Sequence, residues 1–222
     1  MLFFAIQNNN WPALYVFAMI LMFALALVVA IVAHEIAHGL VALWNGDPTA
    51  KMMKRLSPNP ARHIDPLGLL SFVLAGIGWA KPVPVNPFNY RNFRKGNFFV
   101  SIAGIVVNLI IGFISSLCLY LIFTFGNPTA NVGMFMLYQL FWFLTIINVS
   151  LMLFNLLPIF PLDGYNILAS FTKPNNSYMS FVRQNSMAVL LVVMMVLMFT
   201  NAIGLLGGHI VNLFFDFWGL MF

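Results

Sequence analysis

WPALYVFAMILMFALALVVAIVAHEIAHGLVAL, residues 11–43, decides the fold. No charged side chain interrupts this run before Glu35. As a helix rising 1.5 Å per residue it reaches about 50 Å, more than the ~30 Å hydrocarbon core of a bilayer. Residues 1–10 carry no Lys or Arg, and the run is too long for the core of a signal peptide. It is expected to be a transmembrane helix, with Pro12 suited to its first turn.

The rest of the chain has the same character. Of its 222 residues, 62% are hydrophobic and 7% charged, against roughly 25% charged in an average soluble domain. A soluble globule of this size could not hide that much apolar surface, so a soluble enzyme, a nucleic-acid-binding domain and a disordered chain are all excluded. The net charge of +5 points to the anionic leaflet and its headgroups, because the basic residues flank apolar runs; nucleic acid is not an expected partner. The single cysteine, Cys118, lies inside an apolar run and has no second cysteine to pair with.

Further full spans are expected at 98–125, 134–157 and 187–206. The apolar piece 67–80 is short of the ~20 residues needed to cross, and the tail 207–222 is also short. All ten Lys and Arg fall in 51–62, 81–95 and 173–183. With those three segments in the cytoplasm, the spans alternate correctly and 67–80 enters and leaves on that one side. The expected fold is therefore an all-α polytopic membrane protein of about four full transmembrane helices. To these are added a re-entrant or β-like element at 67–87 and a short C-terminal apolar helix. One domain covers 1–222, with a catalytic core at about 11–165 and accessory C-terminal helices at 166–222.

The chemistry sits in the first span, in His34-Glu35-Ile36-Ala37-His38. Two imidazoles one helical turn apart share a face and can grip one zinc ion, with Glu35 beside them as general base for water. Ionisable groups inside a membrane are costly and mark function, and Glu35 is the one glutamate of the chain. A zinc hydrolase needs a third protein ligand. The candidates are Asp47, Asp65, Asp163, Asp216, His63 and His209. Asp163 stands out because it follows Pro158 and Pro161 at the cytoplasmic end of a span, level with the imidazole pair; read alone, without that pair, it is a helix-end or turn residue beside Gly164. His63 reads as a structural or surface residue of a solvated loop. His209 and Asp216 are expected on the face opposite the metal.

His34-Glu35-x-x-His38 in a membrane helix, followed by Asn155-x-x-Pro158-x-x-x-Leu162-Asp163-Gly164, resembles the site-2 protease family of intramembrane zinc metalloproteases. Gly78-Trp79-Ala80-Lys81-Pro82-Val83-Pro84-Val85-Asn86-Pro87 and Gly46-Asp47-Pro48-Thr49 are similar to that family's compact bacterial members, without a PDZ insert. The resemblance covers about residues 30–165. It implies one Zn2+ held by His34, His38 and Asp163, with Glu35 as catalytic acid and base, and a core of three helices: the first span, 98–125 and 134–157. The family's Ala-Gly-Pro before an Asn reads here Ala103-Gly104-Ile105-Val106-Val107-Asn108.

The function expected is an intramembrane zinc metalloendopeptidase cutting transmembrane segments of substrate proteins near the cytoplasmic leaflet of a prokaryotic cell membrane. Asn155 and Asn108 are candidates to hydrogen-bond substrate backbone or a developing oxyanion; interhelical bonding is the other reading of both. The stretch Trp79–Pro87 suits either extended pairing with an unwound substrate or a rigid interfacial loop. The alternative function is a membrane transporter or channel for a small solute or metal ion that uses the same polar cluster, although no matching second half is visible.

Overall fold

The computed structural model describes residues 12–68, 71, 78–128, 130–173 and 176–222. Its regular elements are α1 (Ala13–Trp44), α2 (Thr49–Met52), α3 (Phe93–Phe125), α4 (Val132–Asn155), α5 (Asp163–Phe171), α6 (Ser177–Gln184), α7 (Ser186–Thr200) and α8 (Ala202–Met221), with 3-10 turns at Pro60–Arg62 and Pro87–Asn89. Among the described residues four helices, α1, α3, α4 and α8, are long and apolar enough to cross a membrane. The protein is an all-α polytopic membrane protein.

Asparagines cap three of the described α-helices. The side chains of Asn92, Asn131 and Asn176 accept the amides of Lys95, Met134 and Met179 at the first turns of α3, α4 and α6, satisfying donors that a helix leaves open. The basic first turn of α3 is helical from Phe93, earlier than the apolar run beginning at residue 98 suggested. Helix α4 stops at Asn155, ahead of Pro158, whose ring disfavours helix in the residue before it.

α1, α3 and α4 pack against one another as a three-helix bundle. Small residues let them approach closely, as expected where lipid provides no hydrophobic drive. Ala18, Met22, Ala26, Ala30 and His34 form one buried row of α1 at four-residue steps; Gly96, Val100, Gly104, Asn108, Gly112 and Ser116 form another on α3. Aromatic edges close the end farther from His34, with Tyr15 against Phe135 at 4.9 Å and Phe23 against Phe143 at 5.3 Å between ring centroids. The opposite flank of α1, including Phe17, Ile20, Leu21 and Leu25, is exposed, as a lipid-facing surface should be.

The C-terminal part departs from the expected boundaries. The apolar run 187–206 is divided, because Asn201 adopts the left-handed conformation (φ 51°) and ends α7 at Thr200. Asn is among the few residues that enter this region readily. Gly207 and Gly208, expected at the boundary, lie inside α8, a 20-residue helix in place of a short tail. α7 buries none of its residues and is bent by 88° from α6. α8 seats on the bundle through the buried Trp218, whose Nε1 donates to Ser116 Oγ at 2.9 Å.

Most of the proposed re-entrant piece, 69–70 and 72–77, falls outside the described residues. Beyond it, one antiparallel bridge joins Ile64 to Ala80, and 81–86 runs without regular structure to the 3-10 turn at Pro87. Among the described residues there is no strand ladder.

Candidate metal centre and active site

Three elements converge on one point. α1 brings His34 and His38, whose ring centroids lie 4.5 Å apart at 88°. The loop after α4 delivers Asp163 as the first residue of α5, where a helix N-terminus favours a carboxylate. α3 supplies the floor. His34 Nε2 and His38 Nε2 are 3.0 Å apart, and Asp163 Oδ2 lies 3.2 Å from the first and 3.3 Å from the second. Tetrahedral zinc with bonds of about 2.0–2.1 Å separates its ligand atoms by roughly 3.3 Å, so the triangle matches a zinc site to within a few tenths of an ångström.

The donor chemistry fits as well. His38 Nδ1 is 2.7 Å from the carbonyl oxygen of Val100. A carbonyl only accepts, so Nδ1 carries the proton and Nε2 turns its lone pair toward the other two atoms. Asp163 Oδ2 is buried and makes no well-formed hydrogen bond. A bound cation would satisfy that oxygen and relieve the confrontation of lone pairs. Among the described residues, His34, His38 and Asp163 are the one group of three potential ligand residues with atoms close enough to share an ion.

Two glycines make the convergence possible. A Cβ on Gly104 would stand 2.5–2.7 Å from His34 Cε1, His34 Nδ1 and His38 Nε2, so only glycine leaves both rings their place. On Gly164 it would meet the carbonyl oxygens of Leu156 and Leu157 at 2.3 and 2.4 Å, which would push the Asp163 turn off the end of α4.

Glu35 is half-buried and accepts the backbone N–H of Val83 on Oε2 at 2.7 Å. The other sequence candidates lie elsewhere. Asp47 is fully buried in a hydrogen-bond knot with Thr49, Asn86 and Asn89. Asp65 Oδ1 accepts the amides of Leu67 and Gly68. His63, expected in a solvated loop, is completely buried with Nε2 on the Ser57 carbonyl at 2.8 Å; it holds that loop together. His209 and Asp216 are exposed on α8. Asn155 ends α4, half-buried, and its amide donates to Leu151 O at 3.0 Å. Asn108 has no exposure, and both of its amide atoms lack partners.

The sequence model for peptidase family M50 matches residues 22–200, which take in most of α1 with both imidazoles and the Asp163 turn. The chain belongs to peptidase family M50. Its M50 relatives include "Putative zinc metalloprotease YwhC" of Bacillus subtilis, 42% identical over 150 residues, 68% of each chain. "Putative zinc metalloprotease Rip2" of Mycolicibacterium smegmatis is 30% identical over 94% of this chain and 78% of its own. "Zinc metalloprotease MJ0392" of Methanocaldococcus jannaschii is 26% identical over 79% of this chain and 39% of its own. No solved structure matches. This M50 protein is a zinc metalloprotease, and its cofactor is Zn2+. Three contacts around the candidate site carry no motif signal: the Val83 amide on Glu35, the Val100 carbonyl on His38, and the Arg55 guanidinium on the carbonyls of Lys81 and Pro82. They depend on backbone atoms, which no motif spells out.

Proposed function

We propose that this protein hydrolyses peptide bonds within or beside transmembrane segments of other membrane proteins, near the cytoplasmic leaflet of a prokaryotic cell membrane. The observation that supports this is the ligand triangle on a lipid-embedded helix: His34 and His38 are ten and six residues from the end of α1 at Trp44, which sets the site roughly 10 Å below that end. The three basic segments flank the same end of the bundle and favour a cytoplasmic orientation.

In this reading His34, His38 and Asp163 hold the zinc, which when bound polarises the scissile carbonyl and acidifies water. Glu35 takes a proton from the attacking water and returns it to the leaving nitrogen. Among the described residues its Oε1 carries no hydrogen bond and is the oxygen available for that proton. Asn155, half-open at the end of α4, is the amide best situated to hydrogen-bond substrate; Asn108 is sealed and reaches substrate only if the bundle opens beside it. The catalytic core is assigned to 11–165 of a single domain, with 166–222 as accessory helices.

The test uses purified protein in detergent or bilayer with a panel of single-span substrates. Wild type cuts at least one substrate, chelation abolishes the cut, and Glu35→Gln keeps its zinc but does not cut. Solute flux that persists in Glu35→Gln, with no proteolysis by wild type, would establish the transporter instead.

A further inference from the structure

The stretch 81–86 crosses the site as a strap, and its attachment is more elaborate than a connecting loop requires. At one end Arg55, 8% exposed, donates from Nη2 to the carbonyls of Lys81 at 2.8 Å and Pro82 at 3.1 Å. At the other end the Asp47 carboxylate, with no exposure, accepts the Asn86 amide at 2.6 Å, Asn89 Nδ2 at 2.8 Å, and both the amide and the hydroxyl of Thr49. The chain reaches Asp47 through Gly46 at φ +106°, a conformation that side chains resist. Between the two clamps the Val83 side chain is buried on α1 over Gly39, where a Cβ would come within 3.1 Å of Val83 Cγ1. Gly39 directly follows His38, so the strap is pressed against the turn that carries the motif.

Its composition makes the strap stiff and single-purpose. Pro82 and Pro84 lock their own φ and hold Lys81 and Val83 extended. Neither proline has an N–H, so Val83 offers the one backbone donor between Lys81 and Val85. That donor goes to Glu35 Oε2. A buried acid and a buried arginine are costly unless hydrogen bonds offset their burial; here Arg55 spends Nη2 on two strap carbonyls while its Nε has no partner among the described residues, and Asp47 takes donors from Thr49, from Asn86 on the strap and from Asn89 beside it.

We propose that Asp47 and Arg55 are positioning residues for Glu35, holding the strap so that the Val83 amide fixes one carboxylate oxygen and leaves the other turned toward the reacting water. The inference rests on the reading of Glu35 as general base. A glutamate with free side-chain torsions samples many orientations; one oxygen tied to a fixed amide restricts it to those that face the reaction, and a displacement of about 1 Å at such a group costs up to about 100-fold in rate. A backbone N–H suits the task because it cannot change charge while Glu35 gains and loses a proton.

The experiment takes the full zinc-loaded chain in micelles with a single-span substrate that wild type cuts, and Glu35→Gln is assayed beside it. Asp47→Asn and Arg55→Gln are compared with wild type for kcat, KM, zinc per chain and the hydrogen-exchange rate of the Val83 amide. Expected are a fall in kcat of roughly ten- to hundredfold, KM and zinc content near wild type, and faster exchange at Val83. Wild-type kcat with a freely exchanging Val83 amide would overturn the proposal, as would a loss of kcat with that amide still protected. If either variant fails to accumulate, Asn89→Ala, which removes one donor to Asp47, must give the same pattern at smaller amplitude or the proposal falls. Cleavage by Glu35→Gln at the wild-type rate would instead remove the reading of Glu35 itself.

Discussion

The imidazole Nδ1 of His38 sits 2.7 Å from the carbonyl oxygen of Val100, 62 positions further along the chain. α3, which contributes none of the proposed ligands, thereby sets the tautomer and the tilt of one of them. With its ring oriented in this way, His38 is hard to replace. His38→Gln and Asp163→Asn should each lower zinc affinity by more than roughly 100-fold, beyond the range typical of losing a supporting partner, while Glu35→Gln retains the metal. Competition with a chromophoric chelator measures this; equal affinities in all three variants would contradict the assignment of ligands.

Gly104→Ala should damage the same centre from the α3 side. Its Cβ would stand 2.5–2.7 Å from both rings, and neither ring can yield without moving its ligand nitrogen. Zinc affinity is expected to drop roughly 10–100-fold. Gly112→Ala is the control two turns on, where the nearest atom is Val149 Cγ2 at 3.3 Å. Unchanged affinity in Gly104→Ala would show that the rings have more room than the geometry gives them.

The Asp47 knot predicts an acid limit. Burial alone would raise its pKa, but hydrogen bonds from the Asn86 amide, the Thr49 hydroxyl, Asn89 and the Thr49 amide outweigh it and hold the carboxyl below the ordinary aspartate value. A folded-state pKa below the unfolded one means that the contribution to stability is present above about pH 3.9 and is lost as pH falls toward the lowered folded value. The Asn86 amide shift, followed by NMR, should therefore hold through pH 4 and move only in more acid solution. A midpoint at or above the ordinary aspartate value would refute this.

Trp218 and Ser116 join α8 to the bundle. Ser116→Ala leaves the buried indole N–H without its acceptor and should destabilise the protein by about 1 kcal/mol, with zinc content unchanged. Unfolding of micellar protein by a denaturing detergent reads the difference; no shift would mean that the indole finds another acceptor.

The proposed orientation makes a labelling prediction. With Cys118 replaced by Ser, a cysteine in place of Ala130, exposed between α3 and α4, should react with impermeant reagent from outside the cell. One in place of Lys54 should react only after permeabilisation. The reverse pattern would invert the topology.

Much of the architecture was legible in the chain because lipid imposes strong rules. Long apolar runs and the prolines after Asn155 marked α1, α3 and α4 closely, and the imidazole pair with Asp163 could be picked out by type, spacing and level. The division of the last apolar run was not legible: Asn201 offers no hydrophobicity signal, and its left-handed conformation is a property of the backbone. The burial of His63 and Asp47 was missed for a related reason. Both lie in a loop whose composition is polar, but their partners are carbonyls and amides from the same loop or from 86–89, which local composition does not reveal. The strap on Glu35 was hidden because its key donor belongs to a valine.

The three proposed ligand atoms come from two stretches separated by the turn between α3 and α4. His34 and His38 precede that turn and Asp163 follows it. In the proposed site the ion would thus be a rivet between the two portions of the polypeptide as well as a reagent. If the chain were opened within 126–131 and the pieces were co-expressed, helix packing and the shared ion together should keep them associated. A chelator should speed their separation, and an isolated first piece should hold zinc far more weakly than the pair.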